Sequence, residues 1–384
     1  MRQAALDRLA AEDATTIIVR GLRSPNVPFP DAIGADHRAL LMTAAHHRVL
    51  VLLGWHLRSA GRLDGWPPEF IDAFVAAERQ AVAVDCARHA ELIRVLAALA
   101  ARRIAALVFK GAALAHVCYP APHLRPRTDA DLLVRTADVP ALDETFASLG
   151  YERQRETSGE LLSYQSHYGR RDRHGIFHAF DMHWKISNRQ ALADRLTFQE
   201  LWERRVLVPS LGPWAATVDP VHALALALVH RAGHHPGSRD LLWIYDLHLI
   251  VSNLTEPERQ EIERLADSRG LGPITCDGLM LARDWFGTPA ADRIIDALSR
   301  QPAEREDAAV IRETSSQTDL LYLDLRALAT WRQRMRLVRE HLLPAPSYIR
   351  RKYGVRSNLL LPVFYAWRVV AGAPRWLRRP NAPR

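Results

Sequence analysis

Residues 104–134 read IAALVFKGAALAHVCYPAPHLRPRTDADLLV, and the second apolar run in this stretch opens on Asp129 and Asp131. Side chains alternate along a strand, so a pair at i and i+2 points to one face. Two carboxylates on one face repel each other unless a cation neutralises them. Such a pair either stays solvated at a strand edge or turn or holds a cation. IAALVFK, closed by Gly111, suits a buried strand that feeds a tight turn. GAALAHVCY reads as a short helix stopped by PAPHLRP, and ADVPALDETFASLGY as a helix that starts near Asp138 and Pro140 and ends before Gly150. Strand, helix, strand, helix is an α/β rhythm.

The flanks differ from this centre. LLMTAAHHRVLVLLGWHL and the long run from FIDAFVAAERQ to LAALAARR repeat apolar residues at helical spacing with almost no internal Gly or Pro, so residues 1–100 read as a helical region. After Gly150 a polar, loop-rich stretch leads to HGIFHAFDMHWKIS. Alternation there puts Phe180, Met182, Trp184 and Ile186 on one face and Asp181, His183 and Lys185 on the other. Helical patterns return from Pro220 with VHALALALVHRAGHH and RDLLWIYDLHLIVSN. The resulting expectation is a core over 101–209, a C-terminal helical region over 210–341 and a proline-interrupted, aromatic, basic tail over 342–384.

The length of 384 residues allows two or three structural units. Three scattered cysteines, Cys86, Cys118 and Cys276, have no metal-type spacing and point to a reducing cytoplasm. MRQAALDRLAAEDATT carries acidic residues where an export signal needs an apolar core. No apolar run reaches the length of about 18 residues that spans a membrane. The net charge of +8 is located at one end: from His341 onward there are nine Lys and Arg and no Asp or Glu. The remaining body is near neutral, which argues against a long nucleic-acid track. In the tail, basic groups bracket LLLPVFYAWRVV. That pattern either packs Leu359 to Val370 on the body with the arginines solvated, or lies at an anionic membrane surface with Trp367 and Trp376 at the interface.

Asp181 on a strand beside the Asp129–Asp131 strand would complete a three-carboxylate cluster, and such a cluster suits the hard cations Mg²⁺ or Mn²⁺. Lys110 and the Gly111 N–H, at the start of a helix, suit phosphate oxygens. Together these features read as divalent-metal phosphoryl chemistry. His183 shares the face of Asp181. His222, His230, His234 and His235 suggest zinc by their spacing, but the glutamate of a zinc-protease helix is absent. Arg239 and Asp246, seven apart, read as an interhelical polar contact.

FKGAALAHVCYPAPHLRPRTDADLLV resembles the signature of a bacterial family of uncharacterised nucleotidyltransferases in the DNA polymerase β-like superfamily, and DMHWKI resembles that family's later Asp-x-His-Trp segment. HHRVLVLLGWHL, HRAGHH, RDLLWIYDLHLI and PSYIRRKYG resemble its flanks. The resemblance implies an α+β fold: a small mixed sheet with helices, embedded in N- and C-terminal helical regions. It implies Asp129, Asp131 and Asp181 at the metal positions and Lys110-Gly111 in the phosphate-side turn. With the reading of the residues this makes Asp129, Asp131 and Asp181 the expected catalytic residues, Asp181 also helping to deprotonate the acceptor, and Lys110, Gly111, Arg125 and His183 the expected substrate-binding residues. The implied reaction moves a nucleoside monophosphate from an NTP, expected to be ATP, to a hydroxyl or phosphate of a small molecule, peptide or protein. The alternative is a catalytically silent nucleotide- or partner-binding protein of the same fold. Two departures stand out: Lys110-Gly111 replaces the superfamily's Gly-Ser turn, and Arg127 stands where the family has an apolar residue.

Overall fold

The computed structural model describes residues 14–24, 37–155, 159–235, 238–300, 317–355 and 357–377. Its N-terminal part is helical: α1 (14–23), α2 (His37–His46), α3 (Leu50–Ser59) and the 34-residue α4 (Pro68–Ala101). Pro68 is the first residue of α4, where its missing N–H is not needed. The sheet region follows with β1 (Ala106–Phe109), α5 (Lys110–Val117), β2 (Ala130–Val134), α6 (Leu142–Ser148), β3 (Glu152–Arg155), β4 (Gln165–Arg171) and β5 (Phe177–His183). Short helices α7 (Gln190–Ala193) and α8 (Phe198–Glu203) lead to β6 (Val206–Leu207) and β7 (Ala216–Thr217). The rest is helical: α9 (Pro220–His234), α10 (Leu241–Asn253), α11 (Glu256–Ser268), α12 (Gly272–Phe286), α13 (Ala291–Ser299), α14 (Gln317–Ala327), α15 (Trp331–Leu342), α16 (Pro346–Tyr353) and α17 (Leu361–Leu377).

The strands form one mixed sheet in the order β3-β4-β5-β2-β1-β7-β6. β1 and β2 are antiparallel, β2 and β5 parallel, and β1 pairs parallel with β7, which lies beyond Pro209. Alternation divides the core in two. Ala106, Val108, Leu132, Val134, Phe180 and Met182 face α4 and α6, where Phe146 stacks on Tyr168 at 4.1 Å. Leu107, Phe109 and Leu133 face the other way, into a core shared with α3, α9, α10 and α12.

Four expectations need correction. The run from Leu40 to Leu57 breaks after His46, and Arg48 adopts φ +59°, a conformation that costs a non-glycine residue about 1 kcal/mol. The break lets Arg48 reach Asp240 at 2.6 Å, next to the start of α10. β5 stops at His183, so its alternation does not extend to Ile186, which joins the core on the opposite face. The loop-rich stretch contains β3 and β4, and β4 turns into β5 through Asp172–Gly175. There Asp172 Oδ1 accepts from the N–H groups of His174 and Ile176, and Gly175 takes φ +81°. The tail is helical, because Pro346 and Pro362 sit in the first turns of α16 and α17 and so start helices. Arg378, Arg379, Pro380, Pro383 and Arg384 lie outside the described residues, as does the side chain of Trp376.

Glu91 of α4 joins the helical layer to the sheet. Its buried carboxylate accepts from Arg94 (2.5 Å), Tyr151 (2.5 Å) and Arg170 (2.8 Å). Burial alone would raise its pKa, but the hydrogen bonds from Arg94, Tyr151 and Arg170 outweigh burial and hold it down at about 2, against an ordinary 4.5. A folded-state value below the unfolded one means that the stabilisation is complete above pH 4.5 and is lost as pH falls toward 2. Glu91→Gln should lower unfolding free energy by about 2 kcal/mol at neutral pH, the scale of hydrogen bonds to a charged group. In chemical denaturation the gap from wild type should close as the pH is lowered through that window.

Candidate active site

Strand pairing builds the site. Phe109 lies opposite Asp131, Asp131 opposite Asp181, and Asp181 opposite His167, so one lateral row crosses four strands. Alternation turns this row away from the Phe146–Tyr168 core and toward α9 and α10. The next row places His183 opposite Gln165. Carboxylates directly opposite each other on neighbouring strands repel, and each here has its own partner. Lys110 Nζ donates to Asp131 Oδ1 at 2.7 Å, and His183 Nε2 lies 2.8 Å from the same oxygen. His167 Nδ1 lies 2.6 Å from Asp181 Oδ1. The Gln165 amide meets His167 Nε2 at 3.0 Å, which leaves Nδ1 to carry the proton and donate to Asp181.

The local conformation sets these contacts. Lys110 is the first residue of α5 and takes φ +51°, an unfavourable conformation for lysine. Gly111 follows because a Cβ there would collide with the Arg125 guanidinium. Arg125 is buried and pairs twice with Asp246, through Nε (3.2 Å) and Nη2 (2.7 Å), and Tyr119 donates to Asp246 Oδ1 at 2.7 Å. Asp246 therefore makes a polar contact, but it runs from α10 to the loop before β2 and its partner is Arg125. Arg239 precedes α10 and is exposed. Arg127 is also buried, and Asp85 of α4 balances its charge at 2.7 Å.

A cavity of about 640 Å³ opens between this row and α5, α9 and α10. Lys110, Gly111, Arg125, Asp129, Asp131 and Asp181 all line it; His183 is buried and reaches it only through Asp131. Burial, the Lys110 charge and the His183 contact act together on Asp131. Burial would raise its pKa, but the two partners prevail and hold the carboxyl well below the usual carboxylate range. Asp129, just before β2, has no such partner. Burial, then the charges of Asp131 and Asp181, push it up to about 6. Burial and Lys110 lower His183, which stays neutral.

Among the described residues, Asp131, Asp181 and His183 form the one group of three His, Cys, Asp or Glu side chains whose donor atoms lie within 4.8 Å of one another. Asp129 is outside that group and faces the same cavity. Of the α9 histidines, His230 and His234 and the following His235 line the cavity, whereas His222 is bonded to Asp219 at 2.7 Å at the helix start. Burial, then Lys110, lowers His230 and takes His234 down to about 3, so both imidazoles are neutral. His167 and Gln165 are not legible as site residues because the polar sequence of β4 has the pattern of a loop. The Asp172–Gly175 turn between alternating residues was the available signal.

A family model described as "uncharacterised nucleotidyltransferase" matches residues 34–287. The chain belongs to that family. The matched residues include every residue that lines the cavity, from Arg48 to Asn253. No curated protein matches the chain. As a nucleotidyltransferase it takes an NTP as substrate, and an acidic group able to bind a divalent metal faces its main cavity.

The close approach at Gly111 can be tested directly. Gly111→Ala should push the Arg125 guanidinium off Asp246 and lower unfolding free energy by about 2 kcal/mol, the scale of overpacking a filled site. Denaturant titration measures the loss. A double-mutant cycle with Asp246→Asn should give less than the sum of the two single effects.

Proposed function

We propose that this nucleotidyltransferase uses Mg²⁺ or Mn²⁺ to move a nucleoside monophosphate from ATP to a hydroxyl or phosphate of a small molecule, with a peptide or protein side chain as the next choice of acceptor. One observation carries the reading: Asp131 and Asp181 face each other across a parallel strand pair at the wall of the cavity, with Lys110 beside them. The donor set fits the metal, since carboxylate oxygens suit hard cations and one imidazole nitrogen is tolerated by Mn²⁺. Asp131 and Asp181 would hold it, with Asp129 as a third carboxylate in the same cavity. When bound, the ion stabilises charge on the phosphates and the departing pyrophosphate.

The chain's own residues have distinct tasks in this reading. Lys110 binds phosphate oxygens through its ammonium, and the start of α5 adds N–H groups that favour anions. Arg125 contributes charge near the phosphates while Asp246 fixes its orientation. Asp181 accepts the proton of the acceptor hydroxyl, with its carboxylate oriented by the Gln165–His167 pair. The acceptor oxygen bonds to the α-phosphorus as the bond to pyrophosphate breaks. His183 supports Asp131 rather than touching substrate. The near-neutral body favours a compact acceptor over nucleic acid, and three free cysteines accord with a cytoplasmic protein.

Asp131→Asn should leave the fold intact and lower pyrophosphate release from ATP by at least about a hundredfold, the scale of losing one preorganised electrostatic contact. Full turnover in that variant would overturn the assignment of Asp131 to the metal site, whereas ATP binding without release over a broad panel of acceptors would favour the silent binding protein. Lys110→Met provides a second readout. It removes the cation that competes at Asp131, so Mn²⁺ binding without nucleotide, followed by paramagnetic resonance, should tighten by about tenfold, while ATP binding should weaken.

A further inference from the structure

We propose that α15 and α17 form a docking surface for an anionic membrane. Each helix turns an apolar ridge outward. On α15, Trp331, Met335, Val338 and Leu342 share one face, and Trp331, Met335 and Leu342 are exposed, with Trp331 at 69%. The opposite face holds buried Leu337 and Glu340; Glu340 accepts from the N–H groups of Glu160 and Leu161 and ties the helix to the body. On α17 the ridge is Val363, Trp367 and Val370, between 59% and 68% exposed, and Leu359 just ahead of the helix is 89% exposed. Tyr365 and Arg368, on the far side of α17, donate to the backbone carbonyls of Pro344 and His341 and so tie α17 to the end of α15, with the ridge on the side away from that contact. Leu359 to Val370 therefore packs through one side only, with Leu361, Phe364 and Tyr365 half-buried and the ridge exposed.

Charge identifies the occupant. Residues 331–377 contain ten Lys and Arg against one acidic residue, and that residue, Glu340, is the buried one. Arg332 and Arg339 are exposed beside the α15 ridge. A second copy of this surface would bring like charges together. An anionic bilayer offers both requirements, phosphates for the arginines and acyl chains for the ridges, with tryptophan at the boundary. The described helices include none long and apolar enough to cross a membrane, so the contact is peripheral. These helices lie outside the residues matched to the family, so the proposal does not depend on the reaction at the cavity.

The test is co-sedimentation of the full chain with phosphatidylcholine vesicles, with and without about 30% phosphatidylserine. The chain should bind the anionic vesicles at low salt, release at high salt, and ignore the neutral ones. Val363→Ser with Val370→Ser should weaken binding at least about tenfold, as should Arg332→Ser with Arg339→Ser, at unchanged unfolding midpoints. Quenching of wild-type tryptophan by brominated lipid provides a readout that needs no variant. Failure to bind at low salt, absence of quenching, or aliphatic variants that bind like wild type would each overturn the proposal. So would displacement by single-stranded RNA that the Val363/Val370 variant retains in full, which would point to a nucleic-acid surface, or concentration-dependent dimerisation that buries the ridges.

Discussion

The buried ion pair between Arg125 and Asp246 organises the molecule around its site. It crosses from the loop before β2 to α10 and so clamps the sheet to the C-terminal helices. Removing two charges from water is costly unless geometry and extra hydrogen bonds compensate. Here the pair is bidentate, and the Tyr119 hydroxyl adds a third bond. The guanidinium also lies where a side chain at residue 111 would be, which makes glycine necessary there. The turn at Gly111 in turn positions Lys110 over the carboxylates. A contact between distant segments thus fixes the charge that makes the strand pair tolerable.

The carboxylate row is the second constraint. Asp131 and Asp181 stand opposite each other on parallel strands, an arrangement that costs free energy wherever it is not neutralised. Lys110 with His183 satisfies Asp131, and His167 satisfies Asp181. Asp129 has neither partner, and burial, then the charges of Asp131 and Asp181, raise its pKa. Burial, and then the same Lys110 charge, lowers His230 and His234 across the cavity. The carboxylates therefore share the cavity with the neutral imidazoles of His230 and His234 and with the cations of Lys110, Arg48 and Arg231.

Much of this was legible in the sequence. The spacing of Asp129 and Asp131 within DADLLV, and of Asp181 and His183 within FDMH, specifies strand faces, because alternation is a local property of the backbone. Lys-Gly at the end of an apolar run marked the turn, and the long helical patterns of α4, α9 and α10 were clear from their period. The segment resemblance led to the same family that the match over 34–287 established. Less legible were β3 and β4. Their residues, such as SHYGRR, are polar, and only pairing with β5 makes them strands. Position-by-position reading of that stretch hid His167 and Gln165.

What the sequence alone determined are the properties carried by neighbours along the chain: which residues share a face, where helices start, and that a carboxylate pair would need a cation. Tertiary structure decided which partners meet. Asp131 and Asp181 are 50 residues apart in number and are brought opposite by a parallel register; Asp246 finds Arg125 rather than Arg239; and the buried Arg127 finds Asp85. The tail's ridges are exposed because Glu340 ties α15 to Leu161 while Tyr365 and Arg368 tie α17 to the end of α15. Such pairings depend on packing between elements far apart in sequence, where burial makes each unmatched charge costly enough to select its partner.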